Sequence, residues 1–320
     1  MTEIETPAIK VRGGVAADRT SVRTPIGFIG LGLMGSVLTK NLLSAGFPMR
    51  GYDIKPDRVA DFVAAGGTAA TSPADAANGA AVVITSLMSS DIVRQVVVGQ
   101  NGALSSMQPD TVLMDMSTVH PLSSISLAQE LRPQGVWMLD ATVSGSSAQA
   151  TSKDIVLLVG GDVSIFERCR PIFQALSRNA HYMGANGAGA RTKLVVNMAL
   201  GLNRLVLAET LMFGLRQGID GIRLLDVLRD CPSYSRAMDM TGKRMVEGRF
   251  DPESTLSQHR KDVELMLDVG HAAGVPLFLS NHHREVMIAG ETAGYGQCDT
   301  AALIAILHQF AGLRFEPSEA

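Results

Sequence analysis

The sequence predicts an α/β chain in three parts: a doubly wound parallel sheet, a long interdomain helix, and an all-α C-terminal domain. Three observations predict it. Short apolar runs alternate with helical patterns from Ile26 to Val159, as expected of parallel strands joined by crossover helices. The first run leads directly into Gly30-Leu31-Gly32-Leu33-Met34-Gly35, a glycine-rich turn between strand and helix. From Gly187 a proline-free apolar periodicity opens a region where helical segments follow one another and strand signals fade. The boundaries that follow are 1–24 for a flexible N-terminal tail, 25–185 for the sheet domain, 186–217 for the helix and 218–320 for the helical domain.

Taken in order, the tail carries Arg12, Arg19 and Arg23 but no apolar core, and its Glu3, Glu5 and Asp18 argue against a transit peptide. A strand over 26–29 then meets the glycines. Gly30 permits a tight turn, Gly32 lets backbone approach a pyrophosphate, and Gly35 allows helix and strand to pack closely. The helix that follows, through Leu38, Leu42 and Leu43, offers its unpaired N–H groups to phosphate oxygens. A second strand over 49–52 ends in Asp53, eighteen residues beyond Gly35, where an acidic side chain meets ribose hydroxyls. This is the pattern of a Rossmann dinucleotide site, and the aspartate favours NAD over NADP, while Lys55 and Arg58 nearby suit a ribose phosphate.

Strands over 81–84 and 111–116 alternate with helices over 91–98 and 121–131. Their ends, with Leu87 and Met88 after one strand and Ser117 and Thr118 after the other, fall at the carboxyl edge where ligands bind in such sheets. Strands over 136–141 and 155–159 flank the small, polar stretch from Thr142 to Ala150, whose hydroxyls and backbone N–H groups suit a carboxylate. In the long helix, Leu194, Val195, Met198, Leu202, Leu205 and Leu211 repeat at helical spacing. Lys193 and Asn197 stand four residues apart near its start, so both project from one face and are the candidates for chemistry.

Composition excludes several classes of function. With 28 basic and 31 acidic residues the net charge is −3, and no basic cluster marks a nucleic-acid partner. Cys169, Cys231 and Cys298 are odd in number and far apart, which fits a reducing, cytoplasmic setting better than a disulfide framework. No metal-ligand spacing occurs among the seven histidines, so no metal is expected. No wholly apolar run reaches the roughly eighteen residues of a membrane span, so no membrane partner is expected.

Four motifs together resemble the β-hydroxyacid dehydrogenase family, typified by 3-hydroxyisobutyrate dehydrogenase. Gly30 to Gly35 is similar to the family's GLGxMG turn, and Asp140-Ala141-Thr142-Val143-Ser144-Gly145 to its DAPVSGG substrate loop. Gly189 to Asn197 resembles the GxxxKxxxN catalytic helix, and Lys261-Asp262 its KD pair. The resemblance implies Lys193 as general acid and base and Asn197 as holder of the substrate oxygen. It further implies Ser117, Ser144, Gly145 and Ser146 around the substrate. The cofactor would be held by Gly30, Leu31, Gly32, Leu33, Met34, Gly35, Asp53, Leu87, Met88, Thr118 and Lys261. An ordinary lysine, with a pKa of about 10.4, is a poor base at neutral pH, so burial near Lys261 is expected to lower that of Lys193.

The departures fall on the substrate side. Ser146, Gln149 and Lys153 stand where the family has loop glycines, and Val196 replaces the first asparagine of its NN pair. Asp115 to Pro121, Arg191 and Ser146-Ser147-Ala148 look closer to the family's 3-sulfolactaldehyde reductases, which nevertheless carry an arginine where this chain has Gly145. The expected activity is interconversion of a short 3-hydroxy acid, or related anionic alcohol, and its aldehyde or ketone by hydride transfer. Imine reduction on the same fold and a non-catalytic dinucleotide-binding regulator are the rivals, and the presence of Lys193 counts against both. A small anionic substrate and a homodimer or homotetramer are the expected partners, the latter because the long apolar helix offers more surface than one domain buries.

Overall fold

Residues 24–317 are described by the structure, a computed structural model, so the expected tail lies outside the described residues apart from Thr24. Two compact units divide the chain, one ending at Lys193 and the other starting at Leu194. The first begins β1 (Ile26–Ile29), α1 (Leu33–Ser44), β2 (Met49–Tyr52), α2 (Pro56–Ala64), β3 (Thr68–Ala69), α3 (Pro73–Ala77). It continues β4 (Val82–Thr85), α4 (Ser90–Val98), β5 (Val112–Asp115), α5 (Pro121–Leu131), β6 (Trp137–Ser144), α6 (Ser147–Thr151). Last come β7 (Val156–Gly161), α7 (Val163–Arg168), α8 (Arg170–Leu176), β8 (Asn179–Gly184) and the start of α9 (Ala188–Arg216).

The eight strands form one sheet in the order β3-β2-β1-β4-β5-β6-β7-β8. β1 lies between β2 and β4 and runs parallel to both, so the connections diverge there and open a crevice at the carboxyl ends. Side chains alternate across the sheet. Phe28, Ile84 and Met114 enter one buried cluster while Ile29, Val83 and Leu113 enter the other. Each such side chain contributes roughly 1.5–3 kcal/mol by leaving water. Helix starts are fixed locally: the Ser72, Ser89 and Asp162 side chains accept from N–H groups in the first turns of α3, α4 and α7, each cap being worth about 1 kcal/mol.

Three details depart from the sequence reading. β6 and β7 pair antiparallel, because the connection 145–155 is shorter than the dozen or so residues a parallel crossover needs. The polar stretch read as a loop is mostly ordered: Thr142 to Ser144 extend β6, Ser147 opens α6, and only Gly145 and Ser146 lie between them. Finally, β3 and β8 had no expectation attached to them, and each buries too few apolar side chains to show a period.

α9 matches the expected long helix closely and spans the division between the units. Among the described residues it alone is long and apolar enough to cross a membrane, with a mean hydropathy of 1.4 over its best 18-residue window. The sequence reading missed this because Lys193, Asn197, Arg204 and Glu209 interrupt every wholly apolar run. Leu205, Leu207, Ala208 and Leu211 enter the core of the second unit, which makes α9 a core helix. That unit adds α10 (Gly221–Asp230), α11 (Lys243–Glu247), α12 (Leu256–Ala272), α13 (Phe278–Thr292) and α14 (Leu303–Phe310). It is all helical, and Met245, Val263, Met287 and Ile304 complete its core.

Candidate active site

At the end of β1 the chain turns at Gly30 with φ +98°, a conformation that L side chains rarely adopt. A Cβ there would stand 2.3 Å from the Ser86 carbonyl oxygen, and one on Gly35 would stand 2.0 Å from that of Gly30. The turn is therefore closed against β4 and α1 by backbone alone. Gly32 caps α1 without a side chain, which leaves the first-turn N–H groups to an external acceptor. Leu33 is exposed beside it and Met34 is half-buried. These features fit a dinucleotide pyrophosphate, for which a cradle without side chains is required.

Asp53 follows β2 and holds the turn from below. The Leu31 N–H donates to its Oδ2 at 2.8 Å, and the Lys55 N–H to its Oδ1 at 2.9 Å. Arg58 reaches the same carboxylate at 3.3 Å, and its Nη1 lies 3.5 Å from where a Cβ on Gly32 would be. Thus one acid and one guanidinium flank the glycine turn. Acceptor capacity remains on the carboxylate for sugar hydroxyls, since two oxygens offer about four lone-pair positions.

The ends of β4 and β5 are cross-linked. Ser117 is buried and its Oγ accepts from the Leu87 N–H at 2.9 Å. Asp115, also buried, accepts through Oδ1 from the Thr85 hydroxyl at 2.8 Å and the Ser117 N–H at 3.0 Å. Burial pushes its carboxyl up to about 6; hydrogen bonds from Ser117 and Thr85 oppose this, and the neighbouring Asp140 reinforces it. Sequence reasoning gave Asp115 no task, since an acid ending a strand has no distinguishing spacing. Ser117 emerges as a brace for the Leu87 loop as well as a candidate contact, while Met88 is exposed and Thr118 half-buried.

The substrate-loop candidates separate into two kinds. Ser144 ends β6 half-buried, and Gly145 follows at φ +145° with Ile155 Cγ2 2.5 Å from the position of a Cβ. Ser146 is spent otherwise: its hydroxyl accepts from the Gln149 N–H, and its own N–H donates to Gln149 Oε1. This reciprocal capping box starts α6 and takes the Ser146 amide away from any carboxylate, which corrects its expected role. The S-x-x-Q spacing was the available signal. Gly145→Ala is expected to destabilise the protein by about 1–3 kcal/mol through backbone strain and the Ile155 clash, read as a lower calorimetric midpoint; an unchanged midpoint counts against this geometry.

Lys193 lies in the second turn of α9 and is only 7% exposed. Lysines are seldom so buried without a purpose or a partner. In the second unit Asn197, also buried, donates from Nδ2 to Asp262 Oδ2 at 3.0 Å, and Lys261 Nζ meets Asp262 Oδ1 at 3.2 Å. Asp262 therefore orients both the amide and the ammonium. The KD motif had pointed to its lysine alone. Among the described residues no group of three or more His, Cys, Asp or Glu side chains forms a metal-ligand cluster.

Comparison with known proteins agrees with this arrangement. Residues 25–184 match the model of the NAD binding domain of 6-phosphogluconate dehydrogenase, and residues 187–307 that of the NAD-binding domain of NADP-dependent 3-hydroxyisobutyrate dehydrogenase. The chain is 31% identical to 2-(hydroxymethyl)glutarate dehydrogenase from Eubacterium barkeri, over 90% of this chain and 96% of the relative. It is 33% identical to 3-sulfolactaldehyde reductase from Escherichia coli, over 90% and 97% respectively. The crystal structure of a 3-hydroxyisobutyrate dehydrogenase from Salmonella typhimurium superposes with a TM-score of 0.81 at 27% identity, covering 88% of this chain and 99% of that one. An imine reductase from Pseudomonas sp. shares the fold alone, at 20% identity and a TM-score of 0.56, over 89% and 100%.

Proposed function

The chain belongs to the β-hydroxyacid dehydrogenase family, and on that premise we propose that it interconverts a short 3-hydroxy acid, or related anionic alcohol, and its aldehyde or ketone. The observation that carries this reading is the buried Lys193 on α9, within the same compact unit as the glycine turn. When bound, the nicotinamide cofactor supplies the hydride acceptor or donor. Lys193 takes the hydroxyl proton in oxidation and returns one to the carbonyl oxygen in reduction. Ser144 and the Gly145 N–H bind the substrate carboxylate, and Asn197, its amide oriented by Asp262, binds the reacting oxygen.

NAD is the preferred cofactor in this reading. Asp53 accepts from ribose hydroxyls, and the same negative charge repels a ribose phosphate. Asp53→Ser is expected to raise the KM for NAD by roughly tenfold to a hundredfold, the value of a hydrogen bond to a charged group, and to improve use of NADP beside Arg58. An unaltered NAD/NADP ratio of kcat/KM would remove Asp53 from cofactor choice.

A small anionic substrate, a cytoplasmic location and a homodimer or homotetramer complete the reading. The free thiols of Cys169, Cys231 and Cys298 support the location, and the exposed Val206 and Phe213 on α9, 61% and 66% accessible, support self-association. The test of function is nicotinamide absorbance against a panel of 3-hydroxy acids, semialdehydes, sulfonate analogues and cyclic imines, with NAD and NADP in parallel. Turnover of a hydroxy acid or its aldehyde is expected. Turnover of imines alone, or tight cofactor binding with no turnover, overturns the proposal.

A further inference from the structure

Asp140 is an acid in the middle of a strand, fully buried, and it is used in none of the chemistry above. Its two oxygens accept hydrogen bonds from the start of α9: Gly187 N–H donates to Oδ1 at 2.8 Å and Ala190 N–H to Oδ2 at 2.9 Å. These are the residue preceding the helix and its third residue. A capping box satisfies the same two donors with two local side chains, but here the residue before the helix is Gly187, which has no side chain to use. One carboxylate from β6, forty-seven residues away, replaces both.

The surroundings are cut to fit this contact. A Cβ on Gly160 would stand 2.7 Å from Asp140 Oδ1, and one on Gly189 would stand 2.3 Å from the Asp140 carbonyl oxygen and 2.9 Å from Oδ2. Two glycines on two segments thus admit the carboxylate and let α9 lie against β6. Two residues further along β6, Thr142 Oγ1 stands 3.2 Å from both the Leu158 and Gly189 carbonyl oxygens, a second tie between strand and helix.

We propose that Asp140 is a positioning residue for Lys193: by fixing the first turn of α9 to β6, it keeps the amine at a constant spacing from the carboxylate-binding end of that same strand. The inference rests on the proton-transfer role of Lys193 given above. Lys193 follows Ala190 by three residues in continuous helix, and Ser144 follows Asp140 by four in continuous strand. Any slip of the helix start therefore moves the amine relative to Ser144 and Gly145. A displacement of about 1 Å costs on the order of a hundredfold in rate.

The experiment uses the full chain with NAD and the substrate found above. Asp140→Asn keeps the shape but turns an N–H donor toward one of the two helix amides. Its kcat is expected to fall about a hundredfold, with the KM for NAD and the far-ultraviolet circular dichroism unchanged. Full kcat, or a loss no greater than the loss of folded protein, overturns the proposal. Should the variant not fold, amide hydrogen exchange on the wild-type holoenzyme decides: Gly187 and Ala190 are expected to be strongly protected, and fast exchange at both overturns it. Lys193→Ala, run alongside, separates the two ideas. Activity retained there sinks the proposed function itself, whereas an inactive Lys193→Ala beside a fully active Asp140→Asn sinks only the positioning role.

Discussion

Lys193→Ala is expected to lower kcat by about 10³–10⁴-fold while the protein still binds NAD, because a positioned proton-transfer group is worth up to that much and the cofactor turn is untouched. Lys193→Arg is expected to fail as badly. Arginine keeps the positive charge and much of the length, but it does not give up its proton in the accessible pH range. The pair of variants therefore separates proton transfer from charge stabilisation. Steady-state rates with fluorescence titration of the cofactor measure both quantities, and an arginine variant with near wild-type kcat would show that charge alone suffices.

Gly35→Ala is expected to abolish detectable cofactor binding and to cost about 1–3 kcal/mol of stability through overpacking. The added Cβ would stand 2.0 Å from the Gly30 carbonyl oxygen and 3.1 Å from Phe28 Cε1. The first neighbour is backbone of the turn itself, so it is the turn that must move. Gly46→Ala is the informative control. Gly46 has φ +85° but no atom within 4 Å of the added Cβ, so its substitution costs about 1–2 kcal/mol of left-handed strain and leaves the cofactor turn intact. Loss of binding in the first variant with retention in the second, at comparable thermal midpoints, is the expected pattern. Retained affinity in Gly35→Ala refutes the close packing.

Much of this was legible because the signals are local. The order β1, glycine turn, α1, β2 and Asp53 is written in contiguous residues, and α9 declares itself by unbroken helical spacing. Lys193 and Asn197 could be paired from their separation alone. The reversal at β7 was not legible, since an apolar run reads the same in either direction. Asp140 and Asp262 were hidden for another reason. Their partners lie 47, 50 and 65 residues away, and hydrogen bonds of that reach leave no period in the chain. Thr142 to Ser144 misled because small hydroxyl residues favour turns, whereas here antiparallel pairing with β7 holds them in a strand.

Gly145 also bears on how this lineage can acquire a new diet. The resemblance places an arginine at that position in relatives that handle sulfonates, and such a residue here would need a negative φ and the space now filled by Ile155 Cγ2. No single substitution delivers both. An ancestor with Gly145 must first shorten residue 155 and let the backbone relax, steps that bring no catalytic reward of their own. Selection for a sulfonate would more readily recruit a cation from another position, so two branches of one family are expected to reach the same anion by different, historically contingent routes.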